Sequence, residues 1–194
     1  MTDTSKVSLR ERTRQVMRAE VSTIATRLFA EQGCDNTTVE QIAAEAGLSR
    51  TTFFRYFGTK EDVVLTWLAD LGPGLATALR DRPAGEDPWV SLRRTFDVLT
   101  TINATEPEKS LAFYRMLDRN PTMGPRHRDK QDGWVELLVP VITVRLGTPE
   151  PAPRALVSAA MACFNAAMRE WVGGGGTGSR GELLDRAMTA VRSW

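Results

Sequence analysis

Apolar residues recur with a helical period along almost the whole of this chain. Val21, Ile24 and Leu28 follow the i, i+3, i+7 spacing that places side chains on one face of an α-helix. The one run of β-branched residues, 139–144, has helical flanks and does not indicate a strand. With 194 residues the chain is long enough for one large domain or two small ones. The pattern therefore predicts an all-α fold.

Two short helical segments in the N-terminal third are joined by a tight turn. Thr38 with Gln41, or Thr37 with Glu40, has the spacing of a capping box that starts a helix. The sequence Gly-Leu-Ser at 47–49 then ends this helix and caps the next one. A glycine-containing turn of three or four residues is typical of the helix-turn-helix, whose second helix enters the major groove of DNA.

The second of these helices is polar and basic on its outward side. Arginine can donate two hydrogen bonds to guanine, and threonine can contact a base edge or a thymine methyl group. Periodicity and caps alone fit an ordinary helical hairpin with a solvated polar face equally well. If the segment reads DNA, the residues predicted to contact it are Thr38, Ser49, Arg50, Thr51, Thr52, Arg55, Tyr56 and Lys60.

The same segment resembles the DNA-binding domain of TetR-family transcriptional regulators. Residues 37–62 read TTVEQIAAEAGLSRTTFFRYFGTKED, which fits the family pattern of I-A-x-x-A-G-(V/L)-S, then T-(L/F)-(Y/F)-x-(H/Y)-F, then a lysine and acidic residues. Residues 28–33, LFAEQG, resemble the end of the first helix in that family. Phe54 departs from the pattern, since a tyrosine that bonds phosphate is common at this place.

The resemblance implies an N-terminal three-helix DNA-binding domain over residues 1–60. A fourth helix, from about residue 60, would link it to a larger helical domain over residues 61–194 that binds an effector and dimerises. The family implies that Thr38 contacts phosphate or a base edge, that Arg50 faces the groove, and that Tyr56 and Lys60 hold phosphates. Glu40, near this face, either reads cytosine or points to solvent.

The expected function is that of a ligand-responsive regulator, a repressor that binds a palindromic operator as a homodimer through its C-terminal helices. The effector is expected to be a small apolar molecule, acyl-CoA-like in character. Aromatic and other apolar side chains beyond residue 90 can line its pocket, although plain core packing is the more common role for any one such residue. The predicted ligand-binding residues are Phe96, Leu99, Phe113, Tyr114, Trp134, Phe164 and Asn165.

Other classes of function find little support in the composition. The chain has one histidine and two widely spaced cysteines, and it lacks a glycine-rich phosphate loop after a strand. We therefore expect neither an enzyme nor a cofactor or metal site. The chain also has no apolar stretch long enough for a membrane helix and no secretory signal, which favours the cytoplasm. The net charge of +1 leaves one alternative, a helical ligand carrier or adaptor that keeps the fold without specific DNA binding.

Two further expectations concern single features of the chain. His127 lies in the charge run Arg-His-Arg-Asp-Lys at 126–130, which predicts that its side chain is exposed. Gly72-Pro73-Gly74 is expected to break or kink the fourth helix, because proline removes a helical hydrogen bond. Such a break between the two domains would make this tripeptide a candidate hinge.

Overall fold

A computed structural model of the chain describes residues 9–102, 104–105 and 107–192, and all of its regular structure is α-helical. The ten helices of this part of the chain are α1 (Leu9–Gln32), α2 (Val39–Glu45), α3 (Arg50–Tyr56), α4 (Lys60–Arg80), α5 (Pro88–Thr95), α6 (Asp97–Thr100), α7 (Pro107–Arg119), α8 (Met123–Leu146), α9 (Ala152–Gly173) and α10 (Arg180–Arg192). The all-α prediction is therefore confirmed. The described residues contain no helix that is both long and apolar enough to cross a lipid bilayer.

The helices divide into two compact units, one ending at Leu68 and the other beginning at Ala69. The core of the first unit is small and consists of apolar side chains from its four helical segments. Burial of such side chains is the main term that stabilises a domain of this size. Its buried members include Val21, Ala25, Phe29, Ile42, Ala43, Phe53, Phe57, Val63, Val64 and Leu65.

The second unit is built around α9, which packs against α8 on one side and α10 on the other. α9 buries a face whose members recur every three or four residues, among them Val157, Phe164 and Trp171. Arg145, near the end of α8, donates hydrogen bonds to the carbonyl oxygens of Leu79, Arg82 and Pro83 at 2.8, 2.6 and 2.9 Å. These carbonyls lie in and just after the last turn of α4, where helix geometry leaves acceptors without intrahelical donors.

The predicted break at Gly72-Pro73-Gly74 is wrong, because α4 continues from Lys60 through Pro73 to Arg80. Leu75 and Leu79 are fully buried beyond the proline, and their burial offsets the cost of the lost hydrogen bond. Gly72 is also buried, and a Cβ atom built on it would lie 2.8 Å from Leu137 Cδ1 and 2.9 Å from Trp134 Cδ1. The glycine therefore permits close packing against α8.

The predicted exposure of His127 is wrong as well. Its side chain belongs to the buried face of α8, which also carries Met123, Gln131, Trp134 and Leu138. Burial lowers the pKa of His127 to about 4, with a smaller contribution from the charge of Arg128. The imidazole is consequently neutral at pH 7.

Both cysteines are buried. Cys34 Sγ donates to Glu61 Oε1 at 3.6 Å, and Cys163 Sγ donates to the carbonyl of Ala187 at 3.6 Å. Burial raises the pKa of Cys34 to about 11, and the charge of Glu61 adds to this effect. Burial also raises the pKa of Cys163.

Candidate nucleic-acid interface

The second helix begins with a complete capping box. Thr38 is the N-cap residue, and its hydroxyl accepts a hydrogen bond from the Gln41 amide at 3.2 Å. The Gln41 side chain in turn accepts from the Thr38 amide at 2.8 Å. Of the two pairings open from the sequence, Thr38 with Gln41 is the one that forms, because Thr37 is buried and its hydroxyl donates to the Gly33 carbonyl at 2.8 Å.

The turn between α2 and α3 depends on a left-handed glycine. Gly47 has a φ of +64°, a conformation that side chains other than glycine rarely adopt. The amides of Gly47 and Leu48 donate back to the carbonyls of Ala44 and Ala43 at 3.1 and 2.8 Å, which satisfies the end of α2. Ser49 then caps α3 by accepting from the Thr52 amide at 3.1 Å. The helix-turn-helix geometry predicted from the sequence is therefore present.

Two phenylalanines fix α3 to the rest of the first unit. Phe53 and Phe57 are almost completely buried, and their ring centroids lie 5.2 Å apart. Aromatic side chains contribute large buried areas at low conformational cost, so they hold a short helix that has little stability of its own. With these rings directed inward, the opposite side of α3 is left to solvent.

The outward side of α3 carries arginine side chains that stack on aromatic rings. Arg50, Thr51 and Arg55 are exposed. The Arg50 guanidinium lies 5.6 Å from the ring centroid of Phe54, and that of Arg55 lies 5.0 Å from the ring of Tyr56. Such stacking restricts the rotamers of long side chains and presents their N–H groups toward solvent.

Glu40 does not point freely into solvent. Its Oε1 lies 3.2 Å from Arg50 Nε, which forms an ion pair across the turn between α2 and α3. Both side chains remain more than half exposed, so the pair contributes little to stability. This contact was not predicted, although the sequence places an acidic residue in the first turn of α2 and a basic residue at the start of α3.

Lys60 is half-buried, and its side chain forms hydrogen bonds within the first unit. Its ammonium donates to the backbone carbonyls of Cys34 and Thr37, the latter at 2.9 Å, and lies 3.5 Å from the carbonyl of Asp35. These carbonyls belong to the loop between α1 and α2. The first turn of α4 is capped separately, since Thr59 and Asp62 exchange side-chain and backbone hydrogen bonds of 2.8–3.1 Å.

The residues predicted to bind an effector all lie in the second unit, but they form more than one group. Phe96, Leu99, Trp134 and Phe164 are buried, and the rings of Phe96 and Phe164 lie 5.8 Å apart. Asn165 is half-buried.

The Asn165 side chain exchanges two amide hydrogen bonds of 2.8 and 3.1 Å with Gln131. Phe113 and Tyr114 are half-buried and lie edge-on to the ring of His127, with centroid distances of 5.9 and 6.5 Å. Across the described ranges, no group of three or more histidine, cysteine or acidic residues has a geometry suited to a metal ion.

Two families match this sequence in adjacent segments. Residues 23–66 match the bacterial regulatory proteins of the tetR family, and residues 86–193 match the MftR C-terminal domain. The first match contains the whole helix-turn-helix, and the second covers more than half of the chain.

Individual relatives agree with these matches. The chain is 31% identical over 172 residues to the HTH-type transcriptional regulator TcmR of Streptomyces glaucescens, covering 84% of this chain and 76% of that protein. It is 26% identical over 142 residues to the HTH-type transcriptional regulator EthR of Mycolicibacterium smegmatis, covering 70% and 64% respectively.

Among solved structures, the chain is similar to a repressor called FadR from Thermus thermophilus, crystallised with lauroyl-CoA. The TM-score is 0.60 at 26% identity, with 89% of this chain and 91% of that chain covered.

Proposed function

The chain belongs to the TetR family of bacterial transcriptional regulators, and from this premise we propose that it binds an operator of two-fold symmetry as a homodimer and represses transcription. The regulator is proposed to act in the cytoplasm, where its DNA is. A small apolar effector in the second unit releases it from the operator. Release requires that the effector bind the DNA-free conformation more tightly than the DNA-bound one.

The observation that carries DNA binding is the exposed side of α3. Phe53 and Phe57 pack the inner side of the helix against the rest of the first unit. Arg50, Thr51 and Arg55 are therefore exposed on its outer side. In this proposal Arg50 leaves Glu40 to pair with the acceptors of a guanine. The hydroxyls of Thr51 and Thr52 contact neighbouring base edges.

The remaining predicted DNA contacts are at the edges of this surface. Tyr56 is half-buried and Ser49 is exposed, so both can reach the phosphate backbone, and Thr38 opens α2 beside them. Phosphate contacts fix the register of the protein on DNA, while base contacts determine the sequence that is read. Lys60 is proposed to act from within, by holding the loop before α2 through its carbonyl oxygens.

The effector site is proposed to lie among the aromatic residues of the second unit, next to Phe113, Tyr114 and Trp134. FadR of Thermus thermophilus, similar in fold and 26% identical, was crystallised with lauroyl-CoA. That similarity supports an effector with an apolar, acyl-like portion. Phe96, Leu99, Phe164 and the amide of Asn165 are proposed to complete the walls of the site.

The dimer interface is proposed to include the outward face of α9. Ala155, Ala162 and Ala166 are exposed there and Ala159 is half-buried, so the face consists of small residues spaced by three, four or seven positions. Small side chains let a second helix approach closely, and a two-fold dimer places two reading helices about one turn of DNA apart, roughly 34–36 Å.

The test is fluorescence anisotropy with duplexes from the region upstream of the gene and with a scrambled duplex, at two salt concentrations. Arg50→Ala with Tyr56→Ala should abolish preference for the native duplex, because it removes a base contact and a phosphate contact. Arg115→Ala, an exposed arginine on α7, is the control and should bind like the wild type. The wild-type affinity should fall steeply with salt, since phosphate neutralisation releases counterions.

Two outcomes contradict this proposal. If the double variant keeps the preference for the native duplex, α3 is not the reading helix. If the wild type binds no duplex selected from the whole genome, and its weak binding does not depend on salt, the chain is a ligand carrier or adaptor with the family's fold.

A further inference from the structure

Arg180, the first residue of α10, is a buried cation whose hydrogen bonds and ring contact among the described residues are all with uncharged groups. Only 7% of the residue is exposed. Its guanidinium donates to Ser110 Oγ at 3.1 Å and to the Ile102 carbonyl at 2.6 Å, and it lies 5.2 Å from the ring of Trp171. Within the described part of the chain, no carboxylate forms an ion pair with it.

This arrangement is unusual for a buried arginine. Moving a guanidinium out of water is costly, and buried arginines are ordinarily compensated by a carboxylate. Two neutral acceptors and one aromatic face satisfy only part of its hydrogen-bonding capacity, because the fork carries five N–H donors. The geometry of the fork matches a carboxylate, which accepts two parallel hydrogen bonds.

Two further polar side chains lie near this cation. The Tyr114 hydroxyl and the His127 ring nitrogens make no hydrogen bond with any described residue. Tyr114 lies near enough to Arg180 for the guanidinium charge to act on its phenol group. His127 is more than nine-tenths buried and contacts the rings of Phe113 and Tyr114 edge-on.

We infer that Arg180, Tyr114 and Ser110 form the headgroup end of the effector site and that the effector carries a single negative charge, such as a carboxylate, on an apolar body. The inference rests on the proposed function, in which an effector binds the second unit. Arg180 supplies the counter-charge, and the Tyr114 hydroxyl donates to the same anionic group.

The surroundings define the rest of the ligand. The hydrogen-bonded cation at this place is the single guanidinium of Arg180, and burial favours the neutral form of His127, so the site compensates one negative charge. The rings of Trp171 and Phe113 border the polar groups, which favours an apolar or aromatic body attached directly to the acid. A neutral molecule of the same shape would leave the guanidinium without a counter-charge.

The test compares two dyes that share an anilinonaphthalene body. 8-Anilinonaphthalene-1-sulfonate carries one negative charge, and N-phenyl-1-naphthylamine is neutral. Titrated into wild-type protein and followed by fluorescence, the anionic dye should bind at least tenfold more tightly than it binds to Arg180→Met, because a charge-assisted pair is lost. The neutral dye should bind both proteins equally. Arg186→Met, the same change at an exposed position of α10, should leave both affinities unchanged.

A second pair of variants covers the case in which Arg180→Met does not fold, as judged by circular dichroism. Arg180→Lys keeps the charge and should retain most of the affinity for the anionic dye. Tyr114→Phe removes one hydroxyl and should weaken that dye severalfold without affecting the neutral one.

The inference is overturned if the wild type binds neither dye, or if the folded variants lose affinity for both dyes alike. In the latter case Arg180 only holds the loop at Ile102 to α10. None of these measurements involves DNA, so a regulator that fails this test can still pass the operator-binding test, and the reverse is also true.

Discussion

Lys60 links the start of α4 to the loop between α1 and α2, and replacing it by methionine measures what its ammonium contributes. The ammonium makes short hydrogen bonds to the carbonyls of Cys34 and Thr37 and a long one, 3.5 Å, to that of Asp35. A hydrogen bond to a charged group contributes about 1.5–3 kcal/mol. Because loop carbonyls partly rehydrate when the donor is lost, we expect Lys60→Met to destabilise the first unit by about 2 kcal/mol.

Hydrogen–deuterium exchange reports this loss within the first unit alone. A loss of about 2 kcal/mol corresponds to roughly thirtyfold faster opening of protected amides in α1 and α2. Lys130→Met, a matched change in the second unit, should leave these amides as slow as in the wild type. One result would refute this role of Lys60. In that result, the amides of Lys60→Met exchange at the wild-type rate, and the slope of log binding constant against log salt concentration becomes shallower by about 0.9, the value for one phosphate contact.

Two further predictions concern the second unit. Gly72→Ala should lower the free energy of unfolding by about 1 kcal/mol, because its Cβ would collide with Trp134 and Leu137, whereas Gly74→Ala, with nothing within 4 Å, should raise it by about 0.5–1 kcal/mol. Urea unfolding measures both changes, and equal stabilisation by the two would contradict the close packing at Gly72. The imidazole of His127 takes up a proton near pH 6.5 in the unfolded chain but only near pH 4 in the folded one. The free energy of unfolding should therefore decline by about 3 kcal/mol as the pH falls from 6.5 to 4. His127→Gln should lose less over the same range, and parallel pH profiles would show that the imidazole is not the cause.

The features that the sequence predicted well are local ones. The caps at Thr38 and Ser49 and the glycine turn at Gly47 depend on residues within four positions of one another, so their geometry follows from the segment itself. The all-α fold was predictable for a similar reason, since helical period is a local signal. The contacts proposed for these residues on DNA stay predictions.

The features that the sequence mispredicted depend on distant residues. α4 continues through Pro73 because Leu75 and Leu79 are buried by other helices, which the tripeptide does not reveal. His127 was judged by its charged neighbours along the chain, although the spacing of four from Met123 and from Gln131 places it on the buried face of α8.

Arg180 was overlooked in the same way. It precedes Leu184 and Met188 by four and eight positions, and all three side chains are buried on one face of α10. The periodicity of α10 thus contained the signal that an arginine belongs to the interior, but the usual preference of arginine for the surface outweighed it.

Because both cysteine thiols are buried, neither reacts readily with electrophiles in the folded protein. With the pKa of Cys34 near 11, only about one in ten thousand of its side chains is a reactive thiolate at pH 7. Oxidants and alkylating agents therefore find no reactive sulfur at either cysteine in the folded state. A single cysteine introduced at an exposed position outside the proposed DNA and dimer surfaces, such as Glu20 on α1 or Arg115 on α7, would be the one readily labelled by a maleimide dye. The wild-type chain is thus a ready background for distance measurements between two labelled copies, with and without DNA.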